Sequence, residues 1–208
     1  MGKITDIQKQ KRNRTRVSIF IDGEFVCGLD EVAAASARLK IGDEITADEL
    51  KSVMEKSELN SAFERAVGYL SIAPRAKKEI YKYLLDKGYD KAIIMQTIDK
   101  LVAYHYIDDY LYAQTYIRSK SKKYGSFRIS AELKQKGIAQ SVIDELLDDA
   151  PEDNITDIAQ KYIRSHKSAD RQKLKRFLAG RGFSWDSINS VVAQLSSELD
   201  GSGDDDYD

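Results

Sequence analysis

Three glycines, Gly88, Gly137 and Gly182, stand 49 and 45 residues apart, and each holds the same place in a recurring apolar pattern. A base precedes each (Lys87, Lys136, Arg181) and an apolar residue follows each (Tyr89, Ile138, Phe183). Four residues before them stand Leu84, Leu133 and Leu178; eight before stand Ile80, Ile129 and Leu174. Six after stand Ile94, Ile143 and Ile188; ten after stand Ile98, Leu147 and Val192. The −8 and −4 positions form one apolar stripe on a helix. The glycine is expected to stop that helix, because a left-handed residue carries no penalty without a Cβ. The base beside it complements the negative end of the helix dipole. The +6 and +10 positions are the stripe of the next helix, and a further helix is expected before each pair, near 58–71, 108–122 and 153–165. Self-similarity of this kind is the signature of stacked repeats. The chain is therefore read as mostly α, with residues 58–107, 108–150 and 151–198 as three tandem three-helix repeats in a curved array.

Residues 1–57 read differently, as a small β-rich N-terminal module. In "TRVSIFIDGEFVCGL", β-branched and aromatic residues flank Asp22-Gly23, a strong two-residue hairpin signal. "KITDIQKQ" is expected to add a third strand, "DEVAAASARL" a short helix, and "KIGDEI" a turn and a short strand. Thr46 is placed as an N-cap, with Glu49 completing a capping box. At the other end, residues 199–208 form an acidic tail with little to bury, and disorder is expected there.

The chemistry of catalysis is sparse. Cys27 is the one cysteine and His105 and His166 the two histidines, at no metal-ligand spacing. No phosphate-binding glycine loop is present. Adjacent helical residues do not face each other, so Asp108-Asp109 suit a helix start better than an acid pair. No cofactor is expected. The chain has no apolar leader and no long uncharged run, which predicts a soluble cytoplasmic protein without membrane contact.

Charge carries more information than its total of −1 suggests. Residues 1–16 sum to +5, 17–70 to −6, 71–136 to +7, 137–160 to −7, 161–182 to +7 and 183–208 to −7. The bases gather on the middle helix of each expected repeat or on the loop leading into it. In the first repeat they are Arg75, Lys77, Lys78 and Lys82; in the second, Lys120, Lys122, Lys123, Arg128 and Lys134; in the third, Lys167, Arg171, Lys173, Lys175 and Arg176. One basic helix face is ordinarily a solvated face. Three at equivalent places predict a stripe suited to phosphates or to an acidic protein groove, without base specificity. Tyr104, Tyr106, Tyr110, Tyr112 and Tyr116 cluster in one segment. Helix packing is the favoured reading over stacking on bases, since residues 112 and 116 share a helical face.

Three stretches, "YLSIAPRAKKEIYKYLLDKGY", "YIDDYLYAQTYIRSK" and "KYGSFRISAELKQKGI", resemble in order the motifs of the RecX family of recombination regulators. The matching positions are Ala66, Tyr69, Leu70, Arg75, Glu79, Leu84, Lys87 and Gly88; then Tyr106, Ile107, Asp108, Asp109, Tyr112 and Ala113; then Gly125, Arg128, Ile129, Glu132, Leu133, Lys136, Gly137 and Ile138. Ala76-Lys77 stand where the family usually has Arg-Ser, and Ile80 replaces a leucine. The resemblance spans about residues 60–198. It implies an all-α, non-enzymatic, cytoplasmic regulator of homologous recombination, DNA repair and the SOS response. It also implies binding in the groove of the RecA–single-stranded DNA filament. There, members change filament growth, ATP hydrolysis and strand exchange, mostly by inhibition. A monomer that binds single- and double-stranded DNA weakly and without sequence specificity is expected. The alternative is a general nucleic-acid-binding or scaffold array acting without RecA.

Overall fold

The computed structural model describes every residue except 12, 149–153, 167–168, 197–198 and 200–208. The chain divides into two compact units, Met1–Asp108 and Asp109–Asp208.

The first unit opens with strands β1 (Gly2–Lys9), β2 (Arg16–Ile21) and β3 (Glu24–Asp30), joined later by the two-residue β4 (Glu44–Ile45). The sheet is antiparallel, in the order β3-β2-β1-β4. Asp22 (φ 51°) and Gly23 (φ 87°) make the tight turn between β2 and β3, the conformation that an Asp-Gly pair favours. Val17, Ile19, Cys27 and Leu29 face inward and are buried with Ala34 and Val53. Burial pushes the Cys27 thiol above its ordinary pKa, against a smaller opposing pull from Arg16. Helix α1 (Glu31–Ser36) starts on Asp30, whose carboxylate accepts from the Val32 and Ala33 N–H groups.

Helix α2 (Ala47–Leu70) departs from expectation. Its start is as read: Thr46 accepts from the Glu49 N–H, and the Glu49 carboxylate accepts from the Thr46 N–H at 2.9 Å. It then runs unbroken for 24 residues, so the boundary expected between residues 57 and 58 lies inside it. The polar run Ser57 to Ser61 is not a break, because its side chains tie the helix to both neighbours. Ser57 Oγ accepts from the Asp30 N–H at 2.5 Å, and Ser61 Oγ lies 2.9 Å from the Tyr89 hydroxyl. Val53 joins the core under the sheet, while Ala62 and Ala66 join the core of the first repeat. Helices α3 (Lys77–Asp86) and α4 (Lys91–Ala103) complete that repeat around Ile80, Leu84, Ile94 and Leu101.

The second unit holds α5 (Asp109–Lys120), α6 (Ser126–Gln135), α7 (Gln140–Asp148), α8 (Ile155–Ser165), α9 (Arg171–Gly180) and α10 (Trp185–Gln194). The glycine register is realised in all three repeats. Gly88, Gly137 and Gly182 have φ of 87°, 87° and 81°. Each is the hinge of a Schellman stop. Its N–H donates to Leu85, Lys134 or Ala179, and the next N–H donates to Leu84, Leu133 or Leu178. The −8, −4 and +6 residues are all buried. At +10 the second repeat differs: Leu146 is buried and Leu147 is half-buried, a rotation of one residue around α7. The third core, built on Ile158, Leu174, Leu178, Ile188 and Val192, also takes in Leu199. Leu199, expected to open the tail, is instead buried in this core. The rest of the tail, residues 200–208, lies outside the described residues.

Candidate protein and nucleic-acid interface

Each repeat carries a pair of packed aromatic rings, shared between the first and middle helices in the first and third repeats and on the first helix alone in the second, and bases lie over those rings. In the first repeat, Tyr69 and Tyr83 stack at 4.1 Å, with the Arg75 guanidinium 4.6 Å over Tyr69 and the Lys87 ammonium 5.5 Å over Tyr83. In the third, Tyr162 and Phe177 stack at 4.2 Å, with Arg181 4.4 Å over Phe177. In the second, Tyr112 and Tyr116 pack with centroids 6.1 Å apart, and Lys136 lies over both. The base before each glycine therefore covers an aromatic as well as complementing a dipole. Each such contact contributes about 0.5–1 kcal/mol at an exposed site. It also holds a long cationic side chain in one place.

The second repeat is the most elaborate. Lys120 sits over Tyr116 and Tyr124, and Arg128 lies 4.0 Å over Tyr124. Glu132 ties the group together. It accepts from the Tyr116 hydroxyl at 2.5 Å and from Arg128 Nε at 3.0 Å. The Tyr116 hydrogen bond, with help from Arg128, holds the Glu132 carboxyl below the usual glutamate range against partial burial. Burial and the same bond push the Tyr116 hydroxyl well above its ordinary pKa.

The second and third repeats meet at α6. Gly125 is its N-cap, and no side chain caps it. Instead Gly125 N–H donates to the Arg181 carbonyl at 3.0 Å and Phe127 N–H to the Gly182 carbonyl at 3.2 Å. Unsatisfied donors at the start of α6 thus meet unsatisfied acceptors after α9. The Arg181 guanidinium reaches back to the Lys123 carbonyl at 2.9 Å. This joint brings Lys123, Arg128 and Arg181 together.

The expected contact residues fall into three groups. Lys78, Lys82, Lys122, Lys123, Lys134, Arg176 and the other bases of α9 except Lys175 are exposed; Lys77 and Lys175 are half-buried. Arg75, Lys120 and Arg128 lie over rings, Arg75 stands 3.9 Å from Glu79, and Lys173 pairs with Asp170 at 3.4 Å. Lys120 and Arg128 are thus not spare charges, because their side chains help hold α5 to α6. Lys167 lies outside the described residues. Sequence reasoning missed the rings' role, although a signal was present. Tyr83-Lys87, Tyr116-Lys120, Tyr124-Arg128 and Phe177-Arg181 each place a base four residues after an aromatic.

The tyrosine cluster divides. Tyr112 and Tyr116 pack as helix-face neighbours, whereas Tyr104 and Tyr106 meet Phe63 edge-on and stay half exposed or more. His105 (φ 57°) takes the left-handed stop of α4, and His166 stacks on Tyr162 at 4.2 Å. Among the described residues no three His, Cys, Asp or Glu gather as a metal site, and no helix is long and apolar enough to cross a membrane.

Comparison with known proteins covers nearly the whole chain. Residues 2–46 match the regulatory protein RecX N-terminal domain. Residues 62–101, 108–147 and 150–192 match the first, second and third three-helix domains of RecX. The regulatory protein RecX of Clostridium tetani is 34% identical over 94% of this chain and 95% of its own. That of Clostridioides difficile is 32% identical over 94% and 96%. A crystal structure of regulatory protein RecX superposes with a TM-score of 0.72 at 27% identity, covering 93% of this chain and all of the other.

Proposed function

The chain belongs to the RecX family of regulatory proteins, and from that premise we propose that it regulates the RecA recombinase by laying its basic helix faces on the RecA–single-stranded DNA filament. It does so without catalysing a reaction of its own. It binds in the filament groove and slows filament growth, ATP hydrolysis and strand exchange.

The observation that carries this reading is the joint at Gly125 and Arg181. Backbone hydrogen bonds couple the second and third repeats there, beside Lys123, Arg128 and Arg181. Around it, Lys122, Lys123 and Lys134 stand exposed without ionic partners among the described residues. Lys120 and Arg128 are already ordered over tyrosines. Cations held in place before binding lose less side-chain entropy on meeting a polyanion or an acidic surface.

The test is titration into pre-formed RecA filaments, read by DNA-dependent ATP hydrolysis and electron microscopy. Falling hydrolysis with protein decorating the filament groove is the expected result. Unchanged hydrolysis and bare filaments would reject the proposal. Retention of DNA to the same extent with and without RecA would favour a general nucleic-acid-binding array.

A further inference from the structure

The third repeat carries a groove of about 460 Å³ between α9 and α10, which joins three bases of the contact set read from the sequence to residues outside it. Arg171, Lys175 and Arg176 line it from α9, and Trp185, Asn189 and Val192 from α10. The helical spacing explains the grouping. Residues 171 and 175 are one turn apart on α9, residues 185, 189 and 192 lie on successive turns of α10, and those two faces border the shared core. Trp185 is 62% exposed at the start of α10, although a tryptophan is ordinarily mostly buried. Among the described residues no acidic side chain lines the groove. Lys175 and Arg176 have no ionic partner among the described residues.

We propose that this groove is a nucleotide-binding site for single-stranded DNA, with one base stacked on the Trp185 indole and the flanking phosphates on Arg171, Lys175 and Arg176. The volume is that of a small-ligand site. Lys175 and Arg176, with no acid among the described residues that line the groove, select a polyanion. An exposed indole beside them selects a polyanion that also presents flat π faces. Single strands do so, with stacking that tolerates any base. Duplex DNA does not, because its base faces are already stacked. An acidic peptide would satisfy the cations and leave the indole without a partner. Asn189, which can both donate and accept, is available to a base edge. The proposal deepens the function proposed above by locating its nucleic-acid contact, but its test needs no recombinase.

Trp185 is the only tryptophan in the chain, so its fluorescence reports on this groove alone. The full-length protein is titrated with a deoxythymidine 12-mer, with a duplex of the same length, and with a polyglutamate peptide. Saturable quenching by the single strand, weakening as salt rises, is expected. Trp185→Ala, followed by anisotropy of a labelled 12-mer, should lower affinity roughly tenfold, and Trp185→Phe should restore most of it. Lys175→Glu with Arg176→Glu should abolish the quenching while leaving the far-ultraviolet dichroism unchanged. The proposal is overturned if the single strand leaves the fluorescence unchanged. It is equally overturned if polyglutamate or duplex quenches as well as the single strand, or if Trp185→Ala binds like the parent. RecA inhibition that persists without single-strand quenching would reject this site and spare the family-based reading. Quenching without RecA inhibition would do the reverse.

Discussion

Gly125 donates its backbone N–H to the carbonyl of Arg181 at 3.0 Å, 56 residues further along the chain. The approach is so close that a Cβ on Gly125 would overlap the Gly182 carbonyl and come within 2.6 Å of the Phe183 Cα. Gly125 has φ −80°, which any residue can adopt. What excludes a side chain here is therefore the neighbouring repeat and not the local backbone. Gly125→Ala should destabilise the second unit by about 1–3 kcal/mol, the range for overpacking a tight site. Urea unfolding followed by Trp185 fluorescence measures it. An unchanged midpoint would show that the two repeats are not joined in this way.

The three stop glycines should not respond alike. At Gly88 (φ 87°) nothing lies within 4 Å of an added Cβ, so Gly88→Ala meets only the left-handed penalty, about 1 kcal/mol. At Gly182 (φ 81°) the added Cβ would also sit 2.6 Å from the Arg128 nitrogen. Gly182→Ala should therefore be the more damaging of the two. Thermal melts by circular dichroism rank them, and equal losses would contradict the close packing at Gly182.

Acid should loosen the second repeat through Glu132. Its pKa is lowered in the folded state, first by the Tyr116 hydroxyl and then by Arg128. A lowered folded pKa contributes stability that is present above the ordinary glutamate value, about 4.3, and is lost as pH falls through the folded value. Glu132→Gln should melt earlier than the parent at pH 6, by the equivalent of about 1 kcal/mol. The gap should narrow as pH falls below the ordinary glutamate value and the parent's carboxyl protonates. A gap that stayed constant with pH would mean that the charge on Glu132 is irrelevant.

Charge reversal separates binding from packing. Lys122, Lys123 and Lys134 are exposed, whereas Lys120 and Arg128 also cover rings. Reversing the first three to Glu should leave the melting curve within about 0.5 kcal/mol of the parent. The same variant should weaken RecA inhibition and flatten the salt dependence of DNA binding by roughly one unit of slope for each phosphate no longer neutralised. Full inhibition by the folded triple variant would remove these lysines from the interface. Reversing Lys120 and Arg128 should instead lower both stability and binding.

The division between what was readable and what was not follows the range of the forces involved. The stop at Gly88, Gly137 and Gly182, the buried stripe at Ile80–Leu84, Ile129–Leu133 and Leu174–Leu178, the Asp22-Gly23 hairpin and the Thr46–Glu49 box are all encoded within about ten residues of themselves. Backbone hydrogen bonding and helical periodicity operate over that span, so the sequence alone determined the repeats and the order of elements. Long-range packing decided the rest. Whether Ser57 to Ser61 break a helix depends on Asp30 and Tyr89 being there to receive them. Whether Lys120 and Arg128 are free depends on Tyr124 and on Glu132 with its Tyr116 partner. That Gly125 must be glycine depends on Gly182, and that Trp185 borders a basic groove depends on how α10 packs against α9. These are outcomes of packing between residues distant in the chain, and periodicity holds no record of them.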